Sequence, residues 1–148
     1  MTKGPDYTRI ERVKEYFRRS DAGEFAAELF AENFQFYWPK FGVGHGKASF
    51  FEMAGGLRGC RVRSASHHVE DFLFIEQGNR MAVEGTTEGT GFDDVQWHGG
   101  RTPGGRFCTV FIFNDQDLIV RMHIYLDPDF TGKDQQGFLW PQRSSQQW

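Results

Sequence analysis

The run RFCTVFIFNDQDLIVRMHIYLD, residues 106–127, constrains the fold more than any other part of the chain. It reads as two strands, residues 106–114 and 118–127, joined by NDQD, whose residue types tolerate hairpin geometry. Side chains alternate between the two faces of a strand. Phe107, Thr109, Phe111 and Phe113 therefore share one face, and Cys108, Val110 and Ile112 share the other. Both faces are largely apolar, so one must line an interior and the other must be covered by something else. A dimer packed sheet to sheet is the simplest cover. On the following strand Met122, Ile124 and Leu126 alternate with Arg121, His123, Tyr125 and Asp127.

Upstream the period changes. Over residues 8–19, Ile10, Val13, Tyr16 and Phe17 recur at helical spacing among charges, which predicts an amphipathic helix. SDAGEFAAELF restarts a helix, with Asp21 as cap, Glu24 completing a capping box and Phe25, Leu29 and Phe30 as the apolar stripe. NFQFYW is a short strand ended by Pro39, the glycines of KFGVGHGK form a loop, and a third short helix is expected at about residues 48–54. Further strands are predicted at 61–76 and 80–92. Helices first and an antiparallel meander after them make an α+β arrangement, with helices covering one face of a curved sheet. At 148 residues the chain fits one domain, expected over residues 1–130, with a polar C-terminal tail over 131–148 that is either a flexible end or an arm on a neighbour.

Composition removes several function classes. The formal charge is −3, and RGCRVR is the one local basic cluster, so nucleic acid is not an expected partner. No apolar run reaches the roughly 18 residues that span a bilayer, and the N-terminus has no signal-type segment, so a soluble cytoplasmic protein with no membrane partner is expected. Cys60 and Cys108 read as reduced thiols without metal-ligand spacing. Aromatic residues make up 16% of the chain, so large rings must fill the interior or line a cavity.

The stretches YFRRSDAGEFAAELFAENFQFYWP, GKASFFEMAGGL, GNRMAVEGTTEGT and GGRFCTVFIFNDQDLIVRMHIYLDPD resemble the nuclear transport factor 2-like superfamily, in its SnoaL-like or ketosteroid-isomerase-like branch, over residues 8–130. The resemblance implies a cone-shaped, curved antiparallel sheet covered by N-terminal helices. Members of that superfamily include isomerases, hydrolases, cyclases, dehydratases and binding domains, so the fold does not settle the function. The oxyanion-binding tyrosine of ketosteroid isomerase falls on Tyr16. Its proton-shuttling aspartate falls on Trp38 and its second oxyanion donor near Thr109. The charged trio of limonene epoxide hydrolase falls on Gly85, Thr87 and Ile124, and the aspartate of SnoaL-type cyclases falls near Ile124. What the resemblance leaves is an apolar pocket lined by Trp38, Thr87, Phe107, Thr109, Phe111, Phe113, Met122 and Ile124.

HHVEDF, residues 67–72, supplies the group best suited to moving protons near neutral pH. Adjacent strand residues face opposite ways, and alternation with Phe72 and Phe74 favours His68 as the pocket member over His67. The competing reading is a histidine merely hydrogen-bonded at a strand end or dimer contact. Tyr16 is likewise either a pocket hydroxyl or a packed ring. Glu84 and Glu88 share a strand face and read as outer carboxylates, and His45 and His98 read as loop residues. No third ligand stands at recognisable spacing from the histidine pair, so no metal is expected, nor any other cofactor.

Two functional classes follow. The first is a small-molecule pocket catalysing a cofactor-independent lyase or isomerase step, dehydratase- or cyclase-like, on an apolar cyclic or aromatic compound, with His68 as acid/base and Tyr16 polarising an oxygen. The second is a non-catalytic homodimeric domain that binds a hydrophobic ligand or a protein.

Overall fold

Thr8 opens the first helix by accepting the Glu11 backbone N–H at 3.2 Å. In the computed structural model, which describes residues 8–102 and 104–134, this helix α1 spans Arg9–Asp21 and buries Val13, Tyr16 and Phe17 along one stripe. Gly23, at a φ of 80°, then turns the chain away. No second α-helix follows: the expected helix after Asp21 is a short 3₁₀ turn, Ala27–Leu29, and the capping box does not form. Phe25 and Leu29 still pack on the core from that turn.

Strand β1 (Phe30–Trp38) pairs with β2 (Gly42–His45), a strand inside the stretch expected to be a glycine loop. Gly44 has a packing reason to be there, because a Cβ at that position would stand 2.1 Å from the Phe36 ring. Helix α2 spans Gly46–Cys60, about twice the length expected. The segment 61–76 is two strands rather than one: β3 (Val62–His67) and β4 (Leu73–Gln77), parted by a 3₁₀ turn at Val69–Asp71.

Strands β5 (Arg80–Gly91), β6 (Gln96–His98), β7 (Arg106–Phe113) and β8 (Ile119–Leu126) complete an open eight-stranded sheet, ordered β2-β1-β8-β7-β5-β3, with β4 and β6 also paired to β5. The sheet is mixed rather than wholly antiparallel, because β1 runs parallel to β8. β5 is long enough to take β4 on its first half and β3 on its second. Gly85 lies between the two halves, where a Cβ would meet the Phe72 ring at 2.7 Å and the Phe107 ring at 2.9 Å.

The concave face carries the core. Phe107, Thr109, Phe111 and Phe113 are buried there, as are Met122 and Ile124, so the strand parity expected from sequence is the parity observed. No helix among the described residues is long and apolar enough to cross a membrane. Cys60 and Cys108 are separate free thiols. The expected tail lies, from residue 135 onward, outside the described residues.

Phe111 is fully buried, with its ring edge-on to Tyr16 at 5.9 Å and to Phe17 at 6.1 Å. Phe111→Ala should therefore cost about 3–5 kcal/mol. Val110→Ala, one residue along on the outer face, should cost about 1 kcal/mol or less. Urea denaturation of the two variants checks the difference.

Candidate functional site

α1 lies over the concave face with Tyr16, Phe17, Ser20 and Asp21 turned inward, and α2 brings Phe50, Met53, Ala54, Leu57 and Arg58 to the same space. Between them and the sheet is a cavity of about 130 Å³. Its floor is Trp38, Thr87, Phe107, Thr109, Met122 and Ile124, all members of the expected pocket. Phe111 and Phe113 do not line it; their rings fill the cone beneath. That filling is why the cavity falls short of the roughly 300 Å³ at the low end for ligand sites. It is nearer the roughly 150 Å³ cavity that admits a single benzene ring. A second hollow of about 150 Å³ between α1 and α2 shares Tyr16, Ser20, Phe50, Ala54 and Arg58 with the first. Arg58 donates to the Ser20 carbonyl, so its guanidinium straps the two helices together between the hollows.

The histidine pair is turned opposite to the expectation. His67 lines the cavity, its ring 4.6 Å from Phe17 and 5.4 Å from Phe107, whereas His68 faces away and meets Thr86 and Glu88. One irregularity accounts for the correction: the Val69–Asp71 turn separates His68 from Phe72. Counting alternation back from Phe72 therefore assigns the wrong member of the pair.

Asp21 was expected as a helix cap. Its carboxylate instead holds His67 twice: one oxygen accepts the His67 backbone N–H at 2.8 Å and the other lies 2.6 Å from Nδ1. A carboxylate only accepts, so Nδ1 carries a proton and Nε2 is left as the working nitrogen. Both side chains are about one-fifth exposed. This is the geometry of a general acid/base oriented by a third group.

Tyr16 lines both hollows and is buried. Burial, and after it the negative charge of Asp21, raises its phenol above the usual range, with Arg58 acting in the opposite direction. The hydroxyl therefore stays protonated and can donate a hydrogen bond. The two threonines differ. Thr87 accepts from the Trp97 indole at 3.0 Å and donates to the Gly105 carbonyl at 3.3 Å, so its hydroxyl is already engaged. Thr109 is buried at the cavity wall without a hydrogen-bond partner among the described residues. Trp38 spends its indole N–H on the Leu126 carbonyl at 2.8 Å and offers the cavity its ring.

Asp21 was missed as a site residue because SDAGE reads so readily as a helix start. One signal was available: a carboxylate four residues after Phe17 shares the apolar face of α1.

The superpositions agree with this architecture. A protein of Pseudomonas putida KT2440, provisionally named a polyketide cyclase, matches with a TM-score of 0.67 at 18% identity, over 84% of this chain and 95% of its own. TerC, co-crystallised with polyporic acid, matches with a TM-score of 0.62 at 19% identity, over 80% of this chain and 91% of its own. SalBIII, an epoxide hydrolase/cyclase-like enzyme in pyran ring formation in the polyether salinomycin, gives 0.60 at 21%, over 80% and 90%. At these identities the likeness is one of fold. No curated protein matches the chain in sequence. The SnoaL-like domain, however, matches residues 10–122, most of the length that forms the helices and the cone, and the chain therefore belongs to the SnoaL-like domain family.

Proposed function

We propose that the protein is an acid–base catalyst of the lyase or isomerase kind, dehydratase- or cyclase-like, acting on a small apolar cyclic or aromatic compound. The observation that carries this reading is the Asp21 carboxylate holding His67 by both its ring and its backbone, at the wall of an otherwise apolar cavity. In the proposed step His67 Nε2 takes a proton from the carbon next to a carbonyl, and the Tyr16 hydroxyl donates to the oxygen that gains charge. The imidazolium, stabilised by Asp21, then returns the proton. Return to another carbon of the same framework is isomerisation; return to a departing hydroxyl releases water and is dehydration. Each outcome balances with no further reactant. Similarity to proteins named for cyclase chemistry supports the substrate class.

A second reading is favoured by the cavity volume of about 130 Å³, which suits one ring more than a whole polycyclic substrate. Under it the protein is a binding domain and His67 only anchors a ligand.

In either case we propose a homodimer through the outer sheet face. The strand registers align Ile75, Ala82, Val110, His123, Tyr37 and Val43 as one row across that face, and Ile75 and Val43 are more than 60% exposed. Burial lowers the His123 imidazole, with Arg80 and Arg121 adding to the effect, so the row stays uncharged at neutral pH. Light scattering at micromolar concentration should give the mass of two chains, and Val110→Lys should give the mass of one with unchanged circular dichroism. A wild-type mass of one chain would remove the dimer.

Deuterium exchange into a panel of cyclic and aromatic ketones in D₂O tests the catalysis. The wild type should accelerate exchange for at least one compound, and His67→Ala should lose about 10²–10⁴-fold of that rate. Asp21→Asn should lose less, because it disturbs orientation and leaves the base in place. Binding without accelerated exchange would favour the second reading.

Tyr16 gives a pH signature. An unfolded phenol ionises near pH 10, whereas the buried one keeps its proton, so the unfolded chain binds fewer protons above that pH and stability falls as pH rises. Denaturation midpoints of the wild type should therefore drop more steeply above about pH 10 than those of Tyr16→Phe.

A further inference from the structure

On the outer side of β5, directly behind Thr87, three side chains from separate segments converge. His68 follows β3, Glu88 is on β5 and His98 ends β6. Their ligating atoms all lie within 4.8 Å of one another. Glu88 Oε2 is 3.4 Å from His68 Nε2 and 3.2 Å from His98 Nε2, and the two rings are 5.1 Å apart at centroid.

The remaining nitrogens are already engaged. His98 Nδ1 meets the Gly99 carbonyl at 3.2 Å, and a carbonyl only accepts, so the proton of neutral His98 sits on Nδ1. Its Nε2 lone pair then faces the Glu88 carboxylate. His68 Nδ1 is held 2.7 Å from Thr86 Oγ1, and in the matching tautomer a second lone pair faces the same oxygen. In that pair of tautomers two lone pairs and a carboxylate converge on one point, an arrangement that a cation between them stabilises. An outer partner on Nδ1 is also how proteins orient a metal-ligating histidine.

We propose that His68, Glu88 and His98 form a divalent transition-metal site, with zinc as its reference ion. The two spacings from Glu88 suit the ion: two ligands at about 2.0–2.1 Å on tetrahedral axes stand about 3.3–3.4 Å apart. Two imidazoles and one carboxylate are the donor set of a zinc site with an open fourth position. Glu88 and His98 also wall a surface groove of about 600 Å³, together with Arg101 and Thr102. The sequence has no recognisable ligand spacing because the three donors come from separate segments that only the pairing of β3 and β6 on β5 unites. The ion would tie those three segments together without entering the cavity on the opposite face.

Calorimetric titration of tag-free, chelator-treated full-length protein with Zn²⁺, and the visible spectrum with Co²⁺, test the site. One equivalent per chain is expected, with a tetrahedral-type cobalt spectrum lacking thiolate bands. Glu88→Gln, which keeps side-chain shape, and His98→Ala should each weaken affinity by more than the roughly 10–100-fold that loss of an outer partner costs. Thr86→Val should fall within that range, and His45→Ala should leave binding unchanged. Melting temperatures with excess chelator show that each variant is folded, and zinc should raise the wild-type and His45→Ala values more than those of Glu88→Gln and His98→Ala. No uptake by the wild type, or equal uptake by the wild type and Glu88→Gln, overturns the proposal and leaves the cluster as a proton-shared ion pair.

Discussion

The seating of α1 on the concave face is the contact on which the rest of the cavity depends. Val13, Tyr16 and Phe17 pack on rings offered by the sheet: Phe17 meets Phe72 at 5.0 Å and Phe107 at 5.3 Å, and Tyr16 meets Phe30 at 5.6 Å. Each such side chain, fully buried, contributes about 1.5–3 kcal/mol. The same helical phase carries Ser20 and Asp21 inward one turn later, which is how a carboxylate arrives beside His67. It arrives at the C-terminal end of a helix, where the macrodipole disfavours negative charge. The two hydrogen bonds from His67 offset that cost, so the carboxylate and the histidine hold each other in place.

That dependence explains what was legible in the sequence and what was not. Period identified α1, the β7–β8 hairpin and the two sets of side chains on each of its strands, and the resemblance assigned which set turns inward. Six of the eight expected pocket residues line the cavity, and all six lie on β1, β5, β7 and β8. Phe111 and Phe113 have the right parity and the wrong depth. Alternation assigns a face, whereas depth in a cone depends on curvature, which comes from β5 changing partners beyond Gly85. The parallel pairing of β1 with β8 joins residues nearly ninety apart and leaves no local mark. His67 and His68 were exchanged because the 3₁₀ turn before Phe72 breaks the count.

Strand β5 has unlike faces at its far end. Thr87 faces the cavity wall and Glu88 the outer groove, and β3 delivers His67 to one side while the chain just beyond it delivers His68 to the other. The loop after β6 closes on this strand: the Thr87 backbone N–H donates to the Gly105 carbonyl at 2.6 Å, and the Gly99 N–H donates to the Thr87 carbonyl at 2.8 Å. Gly105, at a φ of 93°, has no room for a side chain, since a Cβ would stand 2.7 Å from the Trp97 ring. Anything that orders His98 therefore acts on a wall of the cavity through two backbone hydrogen bonds, without touching the cavity itself.

The positions at which the resemblance places sheet carboxyl groups hold Trp38, Thr87, Thr109 and Ile124 here, and all four are buried at the cavity wall. A carboxylate at any of them would be buried among the apolar side chains of the cavity, where desolvation opposes ionisation. The chain instead carries its acid on α1, at the partly exposed rim, and lets an imidazole reach inward. A histidine costs less to bury than a carboxylate because its neutral form is populated near neutral pH. The arrangement thus keeps the charge at the edge and an imidazole at the wall, the division that the proposed proton transfer would require in a narrow, ring-lined cavity.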